Sequence, residues 1–287
     1  MPELAEIEVI RLALEPLVVG RSLCVEEIGP HDMRARGEGR GTGRTKAWID
    51  AAGLLDGARV SRLERRGKRL AMVAADGRVL VVQLGMSGQL MLAPDAAATH
   101  RHVTWRVSGQ RHPLVFRDPR RFGGVTPYAS PETLREAWGA DLGVDALSVT
   151  GPQLAAVLRG TRVVKALLLD QRAIAGVGNI YADESLFLAG IDPRTRCAKV
   201  GRSRARELAD AIRTVLRRAV RTGGSTLRDH RTALGKPGQA QQLHAVYGRS
   251  GEPCVRCGAL LRSATLAGRT TTWCPGCQRR SGAVQEG

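Results

Sequence analysis

The chain is poor in aromatics, in acid and in long apolar runs, and each shortage excludes something. Phe, Trp and Tyr together make 3% of its 287 residues, so an aromatic inside a basic motif stands out. A run of about 18 apolar residues, the length a membrane-spanning helix requires, does not occur. The N-terminus lacks a basic segment followed by an apolar stretch, so no secretory signal is visible and a cytosolic protein is expected. Acid is outnumbered: 27 Asp plus Glu stand against 44 Lys plus Arg, a formal net charge of +17 and a pI near 10.9. That balance is the footprint of a polyanion binder, with nucleic acid the default partner. A GC-rich genome would explain arginine over lysine, but not cations over acids.

Cysteine is scarce and unevenly spread. Cys24 and Cys197 are isolated, whereas Cys254, Cys257, Cys274 and Cys277 form two Cys-x2-Cys pairs separated by sixteen residues. In a reducing compartment this spacing favours a structural zinc over disulfides, because each pair sets two thiolates on one face of a tetrahedron. Sixteen residues suffice for a hairpin between the pairs. Its tip, Ala267-Gly268-Arg269-Thr270-Thr271, offers a glycine turn, a guanidinium fork and two hydroxyls to a phosphate.

Length and 43% hydrophobic content allow two cores with the metal module appended. Residues 3–17 place Leu4, Ile7, Val9, Ile10, Leu12, Leu14 and Leu17 at helical spacing. From Ser22 to about Tyr128 short β-like runs follow, at Arg69 to Val73, Val79 to Leu84, His102 to Val107 and Leu114 to Arg117, which predicts a mostly antiparallel domain. Arg34 to Lys46, rich in Gly and Arg, predicts a solvated basic loop. After Pro131 the pattern turns helical, at Pro131 to Ala137, Pro152 to Leu158, Val164 to Leu169, Ile180 to Leu188 and Ser203 to Thr222, with Ser203 a suitable N-cap and a polar link near Ala140 to Gly151.

Four short motifs bear chemistry. Met1-Pro2-Glu3-Leu4 would, once Met1 is removed, present a secondary amine beside a carboxylate. An α-amino group titrates at roughly 7.7 to 8.0, so a neutral nucleophilic fraction exists near neutral pH. Many chains begin Met-Pro without chemical reason. Asp118-Pro119-Arg120-Arg121-Phe122-Gly123-Gly124 closes a strand with two guanidinium groups and an aromatic that is suited either to wedge between bases or to anchor a loop. Gly85-Met86-Ser87-Gly88 is a second glycine-bounded tip with the same two readings. Gly176-Val177-Gly178-Asn179 would aim a helix N-terminus at a phosphate; a dinucleotide fingerprint is rejected because no strand precedes it and a third glycine is missing.

Taken in order, Met1 to Leu4, Arg65-Arg66-Gly67-Lys68, Gly85 to Gly88, Asp118 to Gly123, Gly176 to Tyr181, Gly235-Lys236-Pro237-Gly238 and the four cysteines resemble the bacterial formamidopyrimidine-DNA glycosylase family over essentially the whole chain. The resemblance implies an α+β protein in three parts: an N-terminal antiparallel β-sandwich with an N-terminal helix (1–135), a helix-two-turn-helix domain (151–245) and a zinc ribbon (246–282). It implies a bifunctional DNA glycosylase and AP lyase of base excision repair, a monomer at the nucleoid with one structural Zn2+, acting on oxidised purines in double-stranded DNA. Pro2 would be the nucleophile, Glu3 the acid/base, Lys68 and Arg269 the cations of β- and δ-elimination. Met86, Arg120 and Phe122 would fill the gap left by an everted nucleotide, and His100, Asn179 and Lys165 would contact DNA.

Three departures from the family pattern are visible. Ala5 replaces a usual proline and is expected to loosen the first helical turn. Gln83 replaces a phosphate-contacting histidine. Gln239 and Ala240 replace an aromatic pair in the loop that covers the extruded base. The rival readings are an endonuclease VIII-like glycosylase for oxidised pyrimidines, which fills the gap with other residues, and a non-catalytic binder of damaged DNA.

Overall fold

A computed structural model describes residues 2–29, 49–92, 100–225, 233–234 and 238–279. Met1, the basic stretch Arg34 to Lys46 and Gly235 to Pro237 lie outside them. The chain forms two compact units: Met1–Asp141 with Thr222–Gln239, and Leu142–Arg221 with Ala240–Gly287. The boundaries differ from the three-part division expected from sequence. Residues 222–239 return to the first unit, where Ala233 is buried in the core and its carbonyl accepts from Leu92 N–H at 2.9 Å. The ribbon and the helices share one unit, for reasons of packing described below.

In the first unit, helix α1 (Leu4–Val18) precedes eight strands among the described residues: β1 (Leu23–Ile28), β2 (Val60–Arg66), β3 (Arg69–Ala74), β4 (Val79–Gln83), β5 (Gln89–Leu92), β6 (Arg101–Val107), β7 (Leu114–Arg117) and β8 (Gly124–Tyr128). Ile7, Ile10, Leu14 and Val18 recur at helical spacing and are buried in the same cluster as both sheets. Each such side chain contributes on the order of 1.5–3 kcal/mol. The sheets have the orders β1-β6-β7-β5 and β2-β3-β4-β8, and every pairing within them is antiparallel. Consecutive residues of β3 and β4 are buried, so these strands are covered on both faces. The strand runs predicted at 69–73, 79–84, 102–107 and 114–117 are all present. Helix α2 (Pro131–Asp141) ends the continuous part of the unit against β8.

Connectivity places two links side by side. Residues 84–88 run from β4 to β5 and residues 118–123 run from β7 to β8, so each crosses from one sheet to the other. Because Gln83 pairs with Gly124 and Gln89 pairs with Arg117, both crossings occupy the same end of the sandwich.

The second unit contains β9 (Val144–Asp145), α3 (Gly151–Val157), α4 (Val164–Leu168), β10 (Ile174–Ala175), α5 (Asn179–Leu188), α6 (Arg202–Arg221), β11 (Arg262–Leu266) and β12 (Arg269–Trp273). α3 starts with a capping box, Thr150 to Gln153, and both α3 and α5 pack on α6. Two expectations are corrected. Ser203 lies inside α6, which begins at Arg202; its hydroxyl donates to Glu207 at 3.2 Å instead of capping. A strand does precede Gly176: β10 pairs in parallel with β9, in the stretch expected to be a polar link. The dinucleotide reading therefore falls on the missing third glycine alone. Among the described residues, no helix is long and apolar enough to cross a membrane.

Candidate active site and nucleic-acid interface

The N-terminal chemistry is built on the first turn of α1. Pro2 is buried and leads directly into Glu3, the N-cap residue, which is 2% exposed. Glu3 N–H donates to Glu6 Oε2 at 2.8 Å, and Ser225 N–H donates to Glu6 Oε1 at 2.7 Å. One buried carboxylate thereby ties the start of the helix to the segment that returns to this unit after residue 221. Gly224, at φ +77°, presses on Glu6, where a Cβ would meet its Cγ and Oε1 at 3.1 Å. Despite Ala5 the first turn is fully formed, with Ala5 wholly buried in it. Sequence reasoning passed over Glu6, although acids at the N-cap and three residues later are the spacing of a reciprocal cap.

Lys68 sits in the two-residue turn between β2 and β3, half-buried, after Gly67 at φ +56°. Arg65 governs that turn. Its Nε donates to Glu8 Oε2 of α1 at 2.8 Å and its Nη1 to Gly67 O at 3.1 Å. Glu8 is held in turn by Arg11, at 2.7 Å, so a chain of charge-assisted bonds links the helix behind Pro2 to the backbone beside Lys68.

The structure brings the three expected gap-filling residues to one corner. Met86 is 38% and Phe122 39% exposed, on the two sheet-crossing links, and Arg120 lies over the Phe122 ring at 4.9 Å. Gly85, at φ +62°, lets the links touch: a Cβ there would lie 2.4 Å from the Phe122 carbonyl carbon. His100 is exposed at φ +63°, and its carbonyl accepts from Asp118 N–H at 3.2 Å. Gln239 is exposed, whereas Ala240 is buried in a short helical turn.

In the second unit, Asn179 opens α5 and donates through Nδ2 to Thr270 O at 2.9 Å, one residue from Arg269. Two residues expected at the phosphate interface thus meet, with Arg269 and Thr270 exposed. Thr271 is corrected: it is wholly buried, and its hydroxyl donates to Arg269 O. Lys165 is corrected too. It is completely buried, with Nζ 2.5 Å from Asp183 Oδ1, while Asp183 Oδ2 accepts from Thr272 N–H at 3.1 Å. Burial raises the Asp183 carboxyl and Lys165 opposes that rise, leaving it at about 6, above the usual carboxylate range. Lys165 therefore anchors the ribbon from inside instead of reaching a phosphate. Glu184, the next residue after Asp183, accepts N–H bonds from Ala245, Val246 and Tyr247 at 2.8 to 2.9 Å. Helix α5 holds both the entry and the second strand of the ribbon. Phe187 completes the ribbon core with Val246, Cys254, Leu261 and Cys274, and Arg256 covers its ring at 4.3 Å.

The sulfurs of Cys254, Cys257, Cys274 and Cys277 lie within 4.8 Å of one another, with Cys254–Cys277 at 3.8 Å and Cys257–Cys274 at 3.5 Å. A tetrahedron of thiolates about 2.3 Å from zinc has edges of about 3.8 Å, so the donor set fits. Burial opposes ionisation of Cys254, but the N–H groups of Arg256 and Cys257 outweigh it and bring the thiol to about 7. Cys277 is pushed up to about 12 by burial and by the neighbouring sulfurs. Four such thiols hold four negative charges only around a cation, which is the service zinc provides.

A sandwich entered through a buried Pro2-Glu3 start, and a helical unit in which α5 carries a four-cysteine hairpin, define a helix-two-turn-helix, zinc-ribbon DNA glycosylase. The chain belongs to the formamidopyrimidine-DNA glycosylase family. Residues 1–125 match the family's N-terminal domain, 142–231 its H2TH domain, and 251–280 the zinc finger found in FPG and IleRS. It is 42% identical to the formamidopyrimidine-DNA glycosylase of Burkholderia cenocepacia and 38% identical to that of Laribacter hongkongensis, covering 97% of this chain and 100% of each relative. Among solved structures, MutM (FPG) of Thermus thermophilus superposes with a TM-score of 0.81 at 39% identity, over 97% of this chain and 99% of that one. Lactococcus lactis Fpg in complex with DNA containing an abasic site gives 0.83 at 31% identity, over 97% and 100%. The chain is a zinc-binding member of base excision repair, of a family of DNA-binding glycosylases with AP lyase activity.

Two outcomes are expected. Glu6→Gln turns an amide NH2 toward one of two backbone donors, so it should lower stability by about 1–3 kcal/mol. Single-turnover excision should slow by at least as large a factor as abasic-DNA affinity weakens; a denaturation curve and quench-flow data check both. Cys274→Ser should abolish zinc in elemental analysis and weaken DNA binding while leaving the far-UV signature of the sheets.

Proposed function

We propose that this protein excises oxidised purines, formamidopyrimidines foremost and 8-oxoguanine opposite cytosine next, through a Schiff base on Pro2, and then cleaves the strand by β,δ-elimination. The observation that supports it best is the anchoring of Pro2 at the head of a capped helix whose first turn is buried, where an amine released by loss of Met1 has a fixed direction. The amine attacks C1′, the N-glycosidic bond breaks, and the base departs with a proton. Glu3, adjacent in the chain and withdrawn from water, protonates the sugar ring oxygen as the ring opens, leaving an iminium at C1′. Abstraction of a C2′ proton then expels the 3′ phosphate, and a second elimination expels the 5′ phosphate. Lys68 and Arg269 stabilise phosphate charge in these steps; a guanidinium is too weak an acid to donate a proton, so Arg269 acts as a clamp.

Met86, Arg120 and Phe122, exposed on adjoining links, occupy the void of the everted nucleotide. Arg120 offers only donors and suits the acceptor edge of an orphaned cytosine. Lesion choice follows from what covers the base. Ala240 is buried and Gln239 carries no ring to stack, so the ring-opened lesion, already a poor stacker, leaves the helix more readily than 8-oxoguanine.

Wild-type protein should have the mass of the chain without Met1 and should be trapped by borohydride on abasic DNA through Pro2, with trapping abolished when Met1 is retained. A crosslink mapped to a lysine would refute the assignment. Single-turnover excision should be faster opposite cytosine than opposite adenine by the equivalent of about 1–3 kcal/mol, and Arg120→Ala should flatten that ratio. Faster release of thymine glycol than of either purine lesion would favour the pyrimidine-specific reading.

A further inference from the structure

We propose that Asp118 and Ser87 form a positioning pair that holds the two sheet-crossing links in one register and thereby sets discrimination of the opposite base. The inference rests on the reading of Met86, Arg120 and Phe122 as gap-filling residues. Those three side chains come from two separate links, so their mutual placement depends on whatever joins the links.

Asp118 is 1% exposed at the start of the second link, and Ser87 is 3% exposed within the first. Ser87 Oγ–H donates to Asp118 Oδ1 at 2.5 Å, and Gly123 N–H donates to Asp118 Oδ2 at 2.6 Å. Arg120 N–H lies between the two groups, 3.2 Å from Ser87 Oγ and 3.3 Å from Asp118 Oδ1. The Asp118 carbonyl accepts from Arg121 N–H at 3.2 Å and lies 3.2 Å from His102 Nε2. The donors to this carboxylate, Ser87, Arg120 and Gly123, all belong to the two links.

A carboxylate withdrawn from water is costly unless its oxygens are satisfied, and here the satisfaction requires both links to be in place. Displacing the Met86 link removes the Ser87 hydroxyl from Asp118; unwinding the Arg120 turn removes Gly123. The links consequently hold together or fail together. The turn also holds Arg121 at φ +54°, which a non-glycine residue adopts only when its surroundings impose it. Arg120 can meet a cytosine edge only if its backbone is held to a fraction of an ångström, and its own N–H is aimed at the pair. Neither Asp118 nor Ser87 is exposed enough to touch DNA, so the pair acts through its neighbours.

The test compares Ser87→Ala, Asp118→Ala and Asp118→Asn with wild type in two assays: single-turnover excision from duplex opposite cytosine and adenine, and borohydride trapping on single-stranded abasic DNA, where there is no opposite base and no void to fill. Ser87→Ala and Asp118→Ala should lower the ratio of duplex excision to single-strand trapping roughly ten- to hundred-fold and bring the cytosine-to-adenine ratio toward one. Asp118→Asn should retain most of both ratios, because its amide can accept from Gly123 while donating to the Ser87 oxygen. Parallel loss in both assays, or an intact cytosine-to-adenine ratio in Ser87→Ala, would overturn the proposal. Absence of trapping in wild type would instead sink the Schiff-base reading, and the cytosine-to-adenine excision ratio of Ser87→Ala would then decide the positioning role by itself.

Discussion

The first unit depends on one buried carboxylate. Glu6, 1% exposed, accepts from Glu3 N–H on one oxygen and from Ser225 N–H on the other, joining segments 219 residues apart in sequence. Glu6 is withdrawn from water and both of its oxygens are engaged by backbone donors, so these two bonds hold the start of the helix and Ser225 to one another. Pro2, the proposed nucleophile, inherits that constraint. Pro2 is one peptide from the N-cap, and Gly224, where any Cβ would press on Glu6, is itself packed against Gly238, on which a Cβ would lie 2.2 Å from the Gly224 oxygen.

A comparable economy governs the second unit. Asp183 and Glu184 are adjacent on α5 and point at different parts of the ribbon, one at Thr272 and the other at the backbone of residues 245–247. Lys165 neutralises Asp183 inside the protein, an arrangement whose value lies less in net stability than in the heavy cost of breaking it. Phe187 adds an apolar face. Phe187 packs at the cysteine end of the ribbon, Asp183 holds Thr272 and Asn179 holds Thr270, so α5 follows the second strand from the cysteines toward Arg269 at the hairpin tip.

Elements whose signal is periodic or covalently spaced were legible before any coordinates. The first helix, the strand runs of the sandwich, the helical region after Pro131 and the four thiolates all follow from spacing, because a 3.6-residue or two-residue repeat and a Cys-x2-Cys pair are properties of local chain geometry. Roles that depend on which side of a surface a residue faces were not legible. Lys165 and Thr271 read as phosphate contacts and prove to be interior, since a lone lysine or threonine carries no sign of whether an acid or a carbonyl waits in the next element. The two-residue strand before Gly176 escaped notice because two residues are too few for a period.

The order and spacing of residues were therefore enough for the family and for the chemical groups it carries: a proline and a carboxylate at the start, four zinc-binding thiols, and cations in excess. Tertiary structure alone decided which groups share a place. That Glu6 bridges residues 3 and 225, that Asp118 ties two links across the sandwich, and that α5 grips the ribbon are contacts between segments far apart in the chain. Such contacts are selected by the fit of whole elements against each other, and no local pattern of residues encodes the fit.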